Sequence, residues 1–229
     1  MPAVELRGKS ILVVGASGAL GSLITDRLES QGALLTLTST KPVEPRVGAM
    51  HLTGDIRDSA ERFVHIASDR NGALDGVIIT SGVVAFGPAS ELSPETLERL
   101  FAVNATGPMR IIASAQPALA ASATAQRQPF IVTLSGVVAE APTAGLAAYS
   151  ASKSALAAFG QAAGRELRRA GIRLLDARPG HTETGLASRA IEGIPPAFPP
   201  GLNPALVADR IMQGILDNEK DLPSLAFNG

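Results

Sequence analysis

Short apolar runs alternate with helix-period stretches along almost the whole chain. Ile11 to Val14 has the pattern of a buried strand, and Leu20, Leu23, Ile24 and Leu28 then recur at helical spacing to about Ser30. Gly32 follows, where a helix end favours glycine. Leu34–Thr38, Met50–Thr53 and Gly76–Thr80 read as the next three strands. Ser59–Asp69 lies between the last two, with Phe63, Ile66 and Ala67 on one helical stripe. Ser93 and Pro94 predict an N-cap and first helical residue, opening a helical stretch to about Ala121 with a bend near Pro108 or Pro117. Phe130–Leu134 predicts a fifth strand, Ala147–Arg169 a helix and Arg173–Ala177 a sixth strand. A Pro- and Gly-rich stretch, Pro179–Pro204, precedes a last helix, Ala205–Leu216, and Leu222–Phe227 predicts a short closing strand.

Strands alternating with helices predict an α/β fold: one Rossmann-type, doubly wound parallel sheet of six to seven strands with helices on both faces. With 229 residues and no internal repeat or splitting linker, the expectation is a single domain over 1–229. In such sheets ligands bind beyond the carboxyl ends of the strands, so the first glycine loop and the segments after strands four, five and six should face one crevice.

Composition narrows the chemistry. Net charge is −1, which gives no footprint for nucleic acid or an anionic membrane. There are no cysteines, so disulfide and thiolate chemistry are excluded, and the scattered His51, His65 and His181 lack metal-site spacing. No metal is expected. No apolar run is long enough to span a bilayer and the N-terminus has no signal core, which predicts a cytoplasmic protein. Sixteen arginines against four lysines, with abundant alanine, point to a GC-rich bacterial genome.

Two patterns carry candidate chemistry. Gly15, Ser17, Gly18, Ala19, Leu20 and Gly21 lie between the first strand and its helix, where small residues admit a pyrophosphate to the helix N-terminus. The chain's one tyrosine, Tyr149, is followed four residues later by Lys153. On a helix these share a face, and a nearby cation lowers a phenol pKa, which predicts an acid or base working near neutrality.

With these motifs in this order, the chain resembles the short-chain dehydrogenase/reductase family from the glycine loop to about Thr184. The family's G-x-x-x-G-x-G maps onto Gly15 and Gly21, with Ala19 at the middle glycine. The resemblance implies that Asp55 and Ile56 hold an adenine and that Ser81 and Gly82 belong to the segment after strand four. It implies that Asn104 takes part in a water-borne proton path to Lys153, which also binds a ribose. Pro179, Gly180, Thr182 and Thr184 match the loop that meets the nicotinamide and the diphosphate. The second strand ends in Ser39, Thr40 and Lys41 with no acidic residue, which favours NADP(H), NAD(H) being possible; Lys41 as an ordinary surface residue fits equally. The resemblance further implies a carbonyl/alcohol substrate and a homodimer or homotetramer. Residues 185–204 are expected to form a lid over the substrate.

Two departures matter. The family's substrate-orienting serine falls at Gly136, directly after Ser135, and the family's N-A-G segment reads Thr80-Ser81-Gly82. Another hydroxyl (Ser135, Ser81 or Thr143) takes over, the substrate brings its own hydroxyl, or turnover is weak. Ser135 is the candidate carried forward, and Gly136→Ser is expected to raise activity if strand geometry is preserved. The expected function is an NAD(P)(H)-dependent oxidoreductase with Tyr149 as general acid/base. The alternative is a non-catalytic dinucleotide-binding sensor or assembly protein.

Overall fold

The computed structural model describes residues 4–228. Seven strands form one parallel sheet in the order β3-β2-β1-β4-β5-β6-β7. They are β1 (Ser10–Val14), β2 (Leu34–Ser39), β3 (Met50–Thr53), β4 (Gly76–Ile79), β5 (Phe130–Leu134), β6 (Arg173–Ala177) and β7 (Asp221–Leu222). The order reverses between β1 and β4, so the crevice of a doubly wound sheet opens there.

Because successive side chains on a strand point to opposite faces, each central strand feeds two cores. Ile11 and Val13 of β1 pack on one face with Ile24 and Leu28 of α1 (Ala19–Ser30) and Ile211 and Ile215 of α6 (Pro204–Leu216). Leu12 and Val14 pack on the other with Phe63 of α2 (Ile56–Asn71) and Ile111 and Leu119 of α4 (Gly107–Thr124). Leu167 of α5 (Ala147–Arg169) completes that second layer. Burial on both faces explains why these strands read as continuous apolar runs.

Three expectations need correction. The second helix starts at Ile56, three residues before the predicted start, because Asp55 caps it by accepting the Arg57 N–H at 2.9 Å. The stretch after Ser93 is not one helix. α3 (Pro94–Phe101) passes through a π-helical turn at Ala102–Thr106 before α4 begins. Pro108 brings no N–H to the carbonyl of Asn104, so an uninterrupted α-helix cannot close there, and a π-turn is the local solution. The closing strand is only Asp221–Leu222, and Ser224–Phe227 turns into a 3₁₀-helix.

Candidate active site

A cleft of about 1160 Å³ runs along the carboxyl ends of β1, β4, β5 and β6. Its end beside β1 and α1 is built by close backbone approach. Gly15 has φ +86°, and a Cβ there would come within 2.8 Å of the Ser81 nitrogen. Gly21 does not line the cleft; a Cβ on it would run into the Gly15 carbonyl and Thr80, so it is glycine to let α1 sit against the loop. Gly18 is the N-cap of α1 with an ordinary φ of −71° and offers no side chain. Ser17, Gly18, Ala19 and Leu20 line the wall, and the first N–H groups of α1 have no intrahelical acceptor.

Thr80, the departure from the asparagine of the family segment, keeps a bracing contact. Its hydroxyl lies 2.9 Å from the Val14 carbonyl and 3.1 Å from that of Gly15, tying the two strands that flank the switch point. Beside it, Ser81 Oγ is buried with no hydrogen-bond partner. Such an orphan is costly unless a ligand supplies the missing partner. Asp55, Ile56, Ser39 and Thr40 line the far end. Lys41 is exposed and does not line the cleft; its carbonyl accepts the Ser39 hydroxyl at 2.5 Å. Arg99, absent from the expected set, does line it and bears electrostatically on Asp55. Burial pushes the Asp55 carboxyl up, but Arg57 and Arg99 bring it below its ordinary value.

At the other end Tyr149 and Lys153 project from α5. The lysine ammonium donates to the Leu134 carbonyl at 2.7 Å. The electrostatics differ from expectation. Burial pushes the Tyr149 phenol up to about 12, and Lys153 does not counter it. Burial pushes Lys153 down to about 8, with Asp176 pulling it back upward. In the protein alone, desolvation therefore outweighs the cation expected to favour phenolate.

Asn104 lies in the π-turn, fully buried. Its side chain accepts the Val83 N–H at 2.9 Å and donates to the Val83 carbonyl at 2.9 Å and Ser152 Oγ at 3.0 Å. It clamps the loop after β4, and Pro108 has no N–H to offer its carbonyl. Ser135 is buried, and its hydroxyl donates to Asp176 at 2.5 Å, beside Thr133, which donates to the same carboxylate at 2.7 Å. Arg178 completes that cluster at 3.0 Å.

Gly136 has φ +75° and ψ 165°, a conformation essentially reserved for glycine. The condition attached to Gly136→Ser, a preserved strand geometry, is not met: any L-residue here is strained. Pro179, Gly180, Thr182 and Thr184 line the cleft as expected. Beyond them the wall is apolar and comes from residues no motif announces. His181 stacks on Phe198 with centroids 4.5 Å apart, and Phe198 meets Phe86 at 5.9 Å. Val84, Val138, Leu146 and Leu186 pack with them.

The profile of the family described as short chain dehydrogenase matches residues 9–194. The chain belongs to the short chain dehydrogenase family. It is 32 % identical over 189 residues to the cyclic-di-GMP-binding biofilm dispersal mediator protein of Escherichia coli K12, covering 77 % of this chain and 74 % of that one. It is 26 % identical over 185 residues to the 2,3-dihydro-2,3-dihydroxybenzoate dehydrogenase of the same organism, covering 80 % and 73 %. The fold superposes on a Burkholderia cenocepacia short chain dehydrogenase in complex with NADP, with TM-score 0.81, 21 % identity and coverage of 97 % and 91 %. It also superposes on a Brucella melitensis 3-ketoacyl-(acyl-carrier-protein) reductase complexed with NADH, with TM-score 0.84, 19 % identity and coverage of 96 % and 97 %.

Proposed function

We propose that this dehydrogenase-family protein is a nicotinamide-dinucleotide-dependent oxidoreductase interconverting a carbonyl and an alcohol, with Tyr149 as the proton donor and acceptor. The observation that carries this reading is a single cleft joining the Gly15–Leu20 loop and α1 N-terminus to Tyr149 and Lys153. The residues fit a dinucleotide: the side-chain-free approach at Gly15 and Gly18 suits a diphosphate, and the orphaned Ser81 hydroxyl awaits a polar partner. Gly15, Ser17, Gly18, Ala19 and Leu20 would hold the diphosphate with Thr184. Asp55 and Ile56 would hold the adenine, Ser39 and Thr40 its ribose, and Ser81, Gly82, Lys153, Pro179, Gly180 and Thr182 the nicotinamide end.

When bound, the cofactor supplies or accepts hydride. Tyr149, kept protonated by burial, is poised as an acid towards an oxygen that gains charge. Lys153, near its balance point at mildly alkaline pH, can return a proton to the phenol, and the Asn104 carbonyl, to which Pro108 has no N–H to donate, would hold water on that path. Ser135 holds Asp176 in place beneath Lys153. NADP(H) is favoured over NAD(H) because no carboxylate stands at the end of β2 to repel a 2′-phosphate.

Residues 185–204 serve as the substrate lid. Ile191 donates its N–H to the Val84 carbonyl at 2.8 Å, and Glu192 accepts the Ser93 hydroxyl at 2.7 Å. We place the protein in the cytoplasm as a homodimer or homotetramer; among the described residues no helix is long and apolar enough to cross a membrane.

Tyr149→Phe tests the reading: turnover should fall by about a thousandfold or more with dinucleotide affinity nearly unchanged. Unchanged turnover would remove Tyr149 from the chemistry. A second reading, a non-catalytic nucleotide sensor, is favoured by the missing side chain at Gly136 together with the likeness to a cyclic-di-GMP-binding protein. Titration with NADPH, NADH and cyclic-di-GMP, followed by a carbonyl panel, separates the two. Dinucleotide binding with turnover supports the enzyme, whereas binding of cyclic-di-GMP without turnover supports the sensor.

A further inference from the structure

An oxygen that gains negative charge during hydride addition needs hydrogen-bond donors aimed at it. Among the described residues, three hydroxyls of the cleft are already committed, and the Ser81 hydroxyl, which has no partner in the protein, is the one assigned above to the dinucleotide. The Ser135 hydroxyl goes to Asp176, Thr143 to the Ala141 carbonyl at 3.2 Å and Thr182 to the Gly180 carbonyl at 2.9 Å. The N–H groups of Gly136 and Val137 go to the carbonyls of Ala177 and Pro179 at 3.2 and 2.9 Å. The His181 ring is packed on Phe198 with Nε2 turned to Glu183 at 3.5 Å. With Ser81 given to the dinucleotide, Tyr149 is left as the side chain that meets the reacting oxygen.

The cleft compensates with room. A Cβ at Gly136 would meet only the Pro179 carbonyl, at 3.8 Å, so a substrate substituent can lie over this backbone. The same cleft is lined by the wall of Phe86, Phe198 and His181, which favours the face or edge of a flat ring. We propose that the substrate is a planar ring compound whose reacting carbonyl carries a hydroxyl two carbons away, as in an ortho-hydroxyaryl aldehyde or ketone. That spacing closes a six-membered hydrogen-bonded ring with an open donor angle. A hydroxyl on the adjacent carbon closes a five-membered ring, whose bent geometry makes a poor bond. The substrate's own O–H thus supplies the second donor.

This rests on the oxidoreductase reading. In the reduction, the carbonyl π bond breaks and the carbon gains a hydride from the reduced dinucleotide, which is thereby oxidised. The oxygen gains the Tyr149 proton, which Lys153 and solvent restore. The ortho hydroxyl is unchanged at the end.

The test compares ortho- with para-hydroxybenzaldehyde at about pH 6, below the range where these phenols ionise. The two have the same composition and similar electron donation, and differ in whether the hydroxyl reaches the carbonyl oxygen. The expected result is kcat/KM higher for the ortho isomer by about 10–100-fold, somewhat below the usual worth of a fixed protein donor. As a readout independent of turnover, calorimetry with the inert ortho- and para-hydroxybenzamides should show the ortho isomer binding more tightly. Phe198→Ala should weaken binding of the ortho amide by about tenfold through loss of the ring contact. Equal rates for the two aldehydes, or preference for para, would overturn the proposal while leaving the oxidoreductase reading standing. Dinucleotide binding without turnover of either aldehyde, and without binding of either amide, would also overturn the proposal, while the oxidoreductase reading falls only if the whole carbonyl panel fails.

Discussion

The two ends of the sheet each bury an aspartate, and the two do different work. At the amino ends, Asp75 lies just before β4 with its side chain fully buried. It accepts the Ser10 N–H at 2.8 Å and the Ser122 hydroxyl, and pairs with Arg127 at 2.6 Å. At the carboxyl ends, Asp176 accepts two hydroxyls and an arginine in much the same way. The difference is the neighbour. Asp75 bears on Lys9, which lies outside the cleft, whereas Asp176 bears in the same way on Lys153, which lines it. A buried carboxylate is therefore no marker of function by itself; its place relative to the crevice decides.

Removing the lower cluster should have the largest effect. Asp75→Ala leaves Ser10, Ser122 and Arg127 without their acceptor, and is expected to cost about 3 kcal/mol, the low end for a broken buried pair because Arg127 is partly exposed. Urea unfolding checks this, and the fraction still folded should turn over normally. Burial raises the Asp75 pKa, but Arg127, Ser122 and the Ser10 N–H together hold it below its ordinary value. Its contribution should therefore be complete above the ordinary aspartate range and fade as pH falls through the depressed folded value. An acid titration of stability that is identical in wild type and Asp75→Asn would break the comparison.

At the upper end the ionised form is a cost rather than a gain, although stability again rises with pH. Lys153 is pushed down from 10.5 to about 8, so below that pH the folded state carries a buried cation at a cost that lessens as pH rises through the interval. Lys153→Met should stabilise the protein at neutral pH by about 1–2 kcal/mol, after allowing for the orphaned Leu134 carbonyl, and abolish activity. Stability curves between neutrality and pH 10 check it, since wild type should rise and the variant stay flat.

Gly136→Ser should cost about 1–3 kcal/mol because serine cannot relax at φ +75°, and should bring no gain in turnover. Thermal unfolding beside an activity assay decides. A more active, undestabilised variant would mean that the loop readily adopts another conformation. The smallest effect is expected for Asp176→Asn, which keeps the shape of the cluster. The alkaline limb of the pH–rate profile should move to lower pH by about one unit as Lys153 loses its countercharge. An unmoved limb would reduce Asp176 to the same bracing role as Asp75.

Much of the nucleotide half is legible in the sequence because its constraints are local. Gly15 and Gly21 answer to backbone contacts within a few residues of sequence or of the neighbouring strand, and the central strands announce their burial by unbroken apolar runs. The start of α2 is harder to place because Asp55, taken as an adenine contact, is also the cap of that helix. The substrate half is far less legible. Phe86, His181 and Phe198 meet across about a hundred residues of chain through segments of irregular backbone, and no periodicity marks such a wall. In the sequence His181 is only a histidine without metal partners, and Arg99 one more charge on a helix. The commitment of Ser135 to Asp176 depends on β5 pairing with β6, a non-local fact.

The π-turn at Ala102–Thr106 sets the phase of α4. Each residue advances an α-helix by about 100°, so one residue more or fewer in that turn rotates all of α4 by roughly that angle. Deleting a single residue there would swing Ile111, Ala115 and Leu119 off the sheet while leaving every one of those side chains intact. Besides the buried clamp of Asn104, the segment acts as a counted spacer, and the sheet reads the count.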